Sequence, residues 1–119
     1  MSARVIIADQ NPDILRALKA LLRTNLNYEV VGEVTSAAQL PLLYTATQPD
    51  LVLLDWQLCK QASMNLIEYF GKQERQPKVI VMSNDGDHGR QALAAGAHAY
   101  VSKGDSVDWL LEALRLIAM

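Results

Sequence analysis

Five short apolar runs, at residues 5–8, 30–34, 51–54, 79–82 and 99–101, alternate with stretches that carry the spacing of amphipathic helices. This alternation constrains the fold more than any other feature. Strands that succeed one another through helices pair in parallel, and a parallel sheet takes helices on both faces. Four of the runs are almost unbroken in apolar character, as strands covered on both sides are. The chain reads as an α/β protein, a five-stranded parallel sheet built from five βα units. Its 119 residues suit one core, so a single domain over 1–119 is expected.

The helical stretches carry their own signals. Asn11 is a natural cap, with Pro12 at the first helical position. Ile14, Leu15, Leu18, Leu21 and Leu22 then recur at helical spacing, with Arg16, Lys19 and Arg23 on another face, which reads as solvated. Ser36 and Gln39 have capping-box spacing, although Pro41 blurs where that helix starts. A third helix is expected over 62–70, ended by Gly71 as a left-handed cap. A fourth, over 90–95, is short, rich in alanine and ends at Gly96. The last runs over 106–117 with Trp109, Leu110 and Leu114 on one face, either turned to the core or forming a partner surface.

Composition excludes several classes. A formal charge of −2 gives no general attraction to nucleic acid or anionic membrane. No apolar run approaches the roughly 18 residues of a membrane helix, and no signal-peptide pattern opens the chain. The one cysteine, Cys59, has no partner for an internal disulfide, which favours a reducing cytoplasm.

In open parallel α/β sheets, ligands bind beyond the carboxyl ends of the strands. The residues that close the runs therefore carry the information. They are Asp9, Thr35, Asp55, Ser83 and Lys103. Taken singly, each has an ordinary role in a turn, a cap or solvent. Taken together, they bring two carboxylates, a hydroxyl and an ammonium to one edge. Two neighbouring carboxylates repel unless a cation lies between them. Mg²⁺ commonly uses one or two carboxylates with phosphate oxygens and water.

Absent motifs narrow the field further. The first βα turn, ADQNPDI, has no glycine, so it is not a dinucleotide loop, and no GxxxxGK[ST] segment occurs. Ser83 lacks the GxSxG elbow of a hydrolase. His88 is expected in a loop and His98 in a turn or at the surface, and neither clusters with Cys59 as a ligand set.

The segments VIIAD, DLVLLDW, VIVMS and AAGAHAYVSK, in this order and spacing, resemble the CheY-like receiver domain of a bacterial two-component response regulator. The resemblance covers nearly the whole chain and implies a flavodoxin-like sheet. It implies that Asp55 accepts a phosphoryl group from a sensor histidine kinase or phosphotransfer protein. It implies that Asp9, Asp55 and the backbone carbonyl of Gln57 hold Mg²⁺, and that Lys103 balances the phosphoryl charge. Ser83 would turn its hydroxyl to a phosphoryl oxygen, with Tyr100 swinging into the space it leaves. The segment HAYVSKGDS is most similar to receivers attached to helix-turn-helix (LuxR-type) output domains, which leaves two alternatives, a DNA-binding output region outside this segment or a single-domain regulator, and leaves room for a homodimer.

The chain departs from the family pattern at several positions. Gln10 stands where a second acidic residue is usual, so its neutral amide would be a weaker Mg²⁺ ligand. Cys59 and Ser63, expected in a loop after Asp55, replace the usual Pro and Gly. Asn84 follows Ser83 where a small residue is usual. Gly104 follows Lys103 where Pro is frequent. Trp56, beside Asp55, reads either as a gate or as a packing residue. The main reading is a phosphorylatable switch. The alternative is a pseudo-receiver acting as a phosphorylation-independent interaction or dimerisation module. A metal-assisted α/β hydrolase would need a general base that the sequence does not supply.

Overall fold

A computed structural model describes residues 2–24, 27–61, 65–104 and 108–118. Five strands form one sheet: β1 (Ala3–Ala8), β2 (Tyr28–Val34), β3 (Leu51–Asp55), β4 (Lys78–Ser83) and β5 (Ala99–Ser102). All neighbours are parallel, in the order β2-β1-β3-β4-β5. This is the flavodoxin-like order, with its switch point between β1 and β3. Each strand contains its apolar run and extends it by up to two residues at an end.

The period-2 alternation of the strands divides the core between two faces. Val5, Ile7, Leu53, Ile80 and Met82 face α1 (Pro12–Arg23) and α6 (Asp108–Ala118). Ile6, Ala8, Val52, Leu54 and Val81 face α2 (Leu40–Thr47), α3 (Trp56–Gln61), α4 (Leu66–Gly71) and α5 (Asp87–Ala95). Trp109, Leu110 and Leu114 lie in the first cluster, so the core reading of the last helix holds for them. On α1, Leu15, Leu18 and Leu22 are buried, each contributing about 1.5–3 kcal/mol by removal from water. Asn11 Oδ1 accepts from the Asp13 N–H at 2.9 Å, with Pro12 in the first turn. Of the basic stripe, Arg16 pairs with Asp13 and Lys19 reaches Glu33 at 3.1 Å, as a solvated face does.

Four expectations need correction. Ser36 makes no capping bond; it precedes a 3₁₀ turn at Ala37–Gln39, after which Pro41 sits in the first turn of α2, where its missing N–H costs little. The helix expected over 62–70 corresponds to α4, which starts where Asn65 Oδ1 accepts from the N–H groups of Ile67 and Glu68 at 3.0 and 3.3 Å. Residues 62–64, Ser63 among them, lie outside the described residues, as does the expected start of the last helix at 106–107. Gly71 ends α4 inside the helix, and the cap that follows, Lys72, is right-handed. Cys59 lies on α3, not in a loop, because helix begins directly after Asp55.

Gly96 does what was expected of Gly71. Its φ of 116° closes α5, and its N–H and that of Ala97 take the carbonyls of Leu93 and Ala92. α5 itself starts at Asp87, three residues before the expected start at Arg90. The cause is local: the Asp85 N–H bonds Ser83 Oγ at 3.1 Å, and Asp85 Oδ1 accepts from the Asp87 N–H at 2.9 Å. These two turns begin the helix early and carry His88 onto its first turn.

Candidate functional site

The carboxyl ends of β1, β3, β4 and β5 open into a cleft of about 720 Å³, lined by Asp9, Gln10, Asp55, Gln57, Ser83 and Lys103, with Asn84 and His88 beside them. The parallel sheet brings these residues together, since every strand ends on the same edge. Asp9 and Asp55 flank the switch point. Both are buried, at 1% and 5% exposure, as is Ser83 at 5%.

Asp9 is held from two sides. Its Oδ1 accepts from the Asn11 N–H at 2.9 Å, and its Oδ2 lies 2.5 Å from Lys103 Nζ. The same ammonium lies 3.2 Å from Asp55 Oδ1. Lys103 is itself anchored where β5 ends, its N–H bonding the Ser83 carbonyl at 2.9 Å. Burial pushes the Asp55 carboxyl above its ordinary range, and the Asp9 charge adds to this. Lys103 and the Gln57 N–H pull the other way without cancelling the rise.

Gln57 lines the cleft. It stands second in α3. Its contribution to Asp55 is through its N–H. Gln10 is exposed at the rim. The oxygen donors at the cleft are two buried carboxylates, the neutral amide of Gln10 and the backbone carbonyl of Gln57, a set suited to a hard divalent ion.

The largest departure from sequence reasoning is His88. Expected in a loop, it sits on α5 with only 13% of its side chain exposed. Its Nδ1 lies 2.6 Å from Ser83 Oγ, its Nε2 3.8 Å from Asp85 Oδ2, and its ring stacks on Trp56 with centroids 5.1 Å apart and 24° between planes. Trp56 is thus a packing residue of the core cluster, not a gate. The only signal for His88 in the sequence is its place five residues after Ser83, which helps only once the start of the helix is known. His98 is an exposed bend residue, as expected, whose Nδ1 accepts from the Val79 N–H at 3.1 Å.

Tyr100 lies against Gly89, where a Cβ would stand 2.5 Å from the tyrosine ring. Its hydroxyl donates to the Asp85 carbonyl at 2.9 Å and lies 3.4 Å from the Ser83 carbonyl. The ring therefore already reaches the β4–α5 loop.

A flavodoxin-like sheet with paired acids and a lysine at its switch point defines a receiver-type signalling domain. The chain belongs to that family: the model described as "Response regulator receiver domain" matches residues 5–115. Among curated proteins it is 28% identical over 118 residues to the Fimbriae Z protein of Salmonella typhimurium, covering 97% of this chain and 56% of that protein. It is 26% identical over 111 residues to the DNA-binding transcriptional activator EvgA of Escherichia coli, covering 92% and 54%. The chain thus spans about half the length of the curated relatives it matches. Among solved structures, the receiver domain of the putative response regulator NarL from Mycobacterium tuberculosis superposes with a TM-score of 0.83 at 24% identity, over 98% of this chain and 96% of that one. A LuxR-family response regulator from Aurantimonas gives 0.83 at 23%, over 98% and 85%. At these identities the structures establish the shared fold. Among the described residues, no helix is long and apolar enough to cross a membrane.

Proposed function

We propose that the chain is a phosphorylatable receiver in which Asp55 is the acceptor. The observation that carries this reading is the single ammonium of Lys103 shared by two buried carboxylates at the mouth of the cleft. In the transfer, an Asp55 oxygen forms a bond to phosphorus while the phosphorus–nitrogen bond of a phosphohistidine breaks. The imidazole leaves with the electron pair. Such a transition state asks for charge stabilisation around the equatorial oxygens and little else from the protein.

Asp9, Asp55 and the backbone carbonyl of Gln57, with Gln10 as a weak neutral ligand, would hold Mg²⁺. When bound, the ion supplies the positive charge that keeps Asp55 ionised and draws charge from the phosphoryl oxygens. Lys103 turns from the carboxylates toward the phosphoryl group. Ser83 donates its hydroxyl to a phosphoryl oxygen. Tyr100 and α5 carry the change to the surface, where a DNA-binding output region, a second copy or another partner reads it. A sensor histidine kinase or phosphotransfer protein in the cytoplasm is the donor.

The test is intact mass after incubation with acetyl phosphate and Mg²⁺. One phosphoryl group should be gained and should be absent in Asp55→Asn. Gln10→Asp should lower the Mg²⁺ concentration required. No gain at any Mg²⁺ concentration, in either the native chain or Gln10→Asp, would replace this reading with a phosphorylation-independent interaction module.

A further inference from the structure

We propose that His88 is a positioning residue that holds the Ser83 hydroxyl away from the phosphoryl site and so restrains the switch. This deepens the phosphoryl-acceptor reading and rests on it for its consequence. The restraint itself stands on geometry alone.

A serine hydroxyl has one hydrogen to donate and two lone pairs to accept with. At Ser83 one lone pair is taken by the Asp85 N–H, at 3.1 Å. The other close partner is His88 Nδ1, at 2.6 Å. Which of the two atoms donates depends on where the imidazole carries its hydrogen. Nε2 lies 3.8 Å from the Asp85 carboxylate, beyond a hydrogen bond, and the carboxylate charge favours the hydrogen on the nitrogen nearer to it. Nδ1 is then an acceptor, and the single hydrogen of Ser83 goes to His88.

Ser83 lines the same cleft as Asp55. To donate to a phosphoryl oxygen on Asp55, its hydroxyl must leave His88. The two acceptors compete for one hydrogen. His88 is also unable to drift out of the competition, because its ring is stacked on the buried Trp56 and its backbone is fixed in the first turn of α5. The Ser83–His88 bond therefore opposes the transition, and breaking it removes a side-chain tie between β4 and α5. The histidine thus links occupancy of the cleft to the helix expected to move.

The experiment uses beryllofluoride with Mg²⁺ as the phosphoryl probe, with bound probe read by ¹⁹F NMR, on four chains: native, His88→Phe, Ser83→Ala and the double variant. Phenylalanine keeps an aromatic face for Trp56 and removes the acceptor. His88→Phe should bind the probe about five-fold more tightly, the order expected for loss of one competing hydrogen bond. In the Ser83→Ala background the same change should have no effect. Equal or weaker binding by His88→Phe, or the same gain with and without Ser83, overturns the proposal.

A second readout separates this from failure of the site as a whole. In the ¹⁵N spectrum of the native chain at neutral pH, His88 Nδ1 should be unprotonated, and its signal should move in Ser83→Ala. If the native chain binds no beryllofluoride, the phosphoryl reading fails, and the spectrum alone decides the restraint. A protonated Nδ1, or a signal indifferent to Ser83, overturns it.

Discussion

Lys103 Nζ lies 2.5 Å from Asp9 Oδ2, joining residues 94 apart in sequence across the switch point of the sheet. With Asp55 at 3.2 Å from the same nitrogen, one ammonium is shared by two buried carboxylates. Removing the ammonium leaves both carboxylates uncompensated, at about 3–5 kcal/mol. Lys103→Met should therefore unfold at markedly lower temperature at pH 7, and millimolar Mg²⁺ should restore part of the loss. Equal melting temperatures for the two chains without metal would show that the ammonium does not hold the site.

Asp55 makes a prediction of opposite sign. Burial first, and then the Asp9 charge, raise its pKa in the folded chain. The folded state thus binds more protons than the unfolded state between the ordinary carboxylate value and the raised one, and stability falls as pH rises through that window. Above it, the ionised Asp55 is a standing cost. Asp55→Asn should be more stable than the native chain at pH 7 without metal. The gain should disappear as pH falls below the ordinary carboxylate value. Paired thermal melts across that range check both the sign and the window.

Cys59, half-buried on α3, has its thiol pushed up to about 12, chiefly by burial and further by the Asp55 charge. The thiolate is thus far scarcer at pH 8 than on a solvated cysteine. Alkylation by iodoacetamide should be correspondingly slow in the folded chain and fast in urea. Asp55→Asn removes one of the two causes and should speed it. An equal rate in folded and unfolded protein would contradict the burial argument.

Gly89 is required by Tyr100 and not by its own backbone, which is helical. Alanine would gain about 1 kcal/mol of helix propensity. Against this, its Cβ would stand 2.5 Å from the tyrosine ring, and overpacking of this kind costs about 1–3 kcal/mol. Gly89→Ala should lower the melting temperature in the native chain and raise it in Tyr100→Ala, where the obstruction is gone. The reversal of sign is the diagnostic result.

Much of the fold was legible because the signals were local. Unbroken apolar runs mark strands buried on both faces, and each of the five runs lies within a strand of the sheet. Asn11 with Pro12, and Gly96, acted where their chemistry placed them. Capping signals failed where two local candidates competed. Ser36 lost to a 3₁₀ turn, and α4 takes its cap from Asn65. Gly71 stayed in the helix, and Lys72 closed it in a right-handed conformation.

The residues that close the runs determined which groups would meet at one edge: Asp9, Asp55, Ser83 and Lys103. Parallel strands all end on the same side, so the order of elements was enough to collect them. Their electrostatics were decided only by tertiary structure. That Lys103 bridges both acids, and that Asp55 is shifted upward, depend on distances between strands not adjacent in sequence. His88 was decided there too. Its role required α5 to begin at Asp87, Ser83 to end β4 and Trp56 to offer a face from α3, and no periodicity within one segment encodes a contact among three.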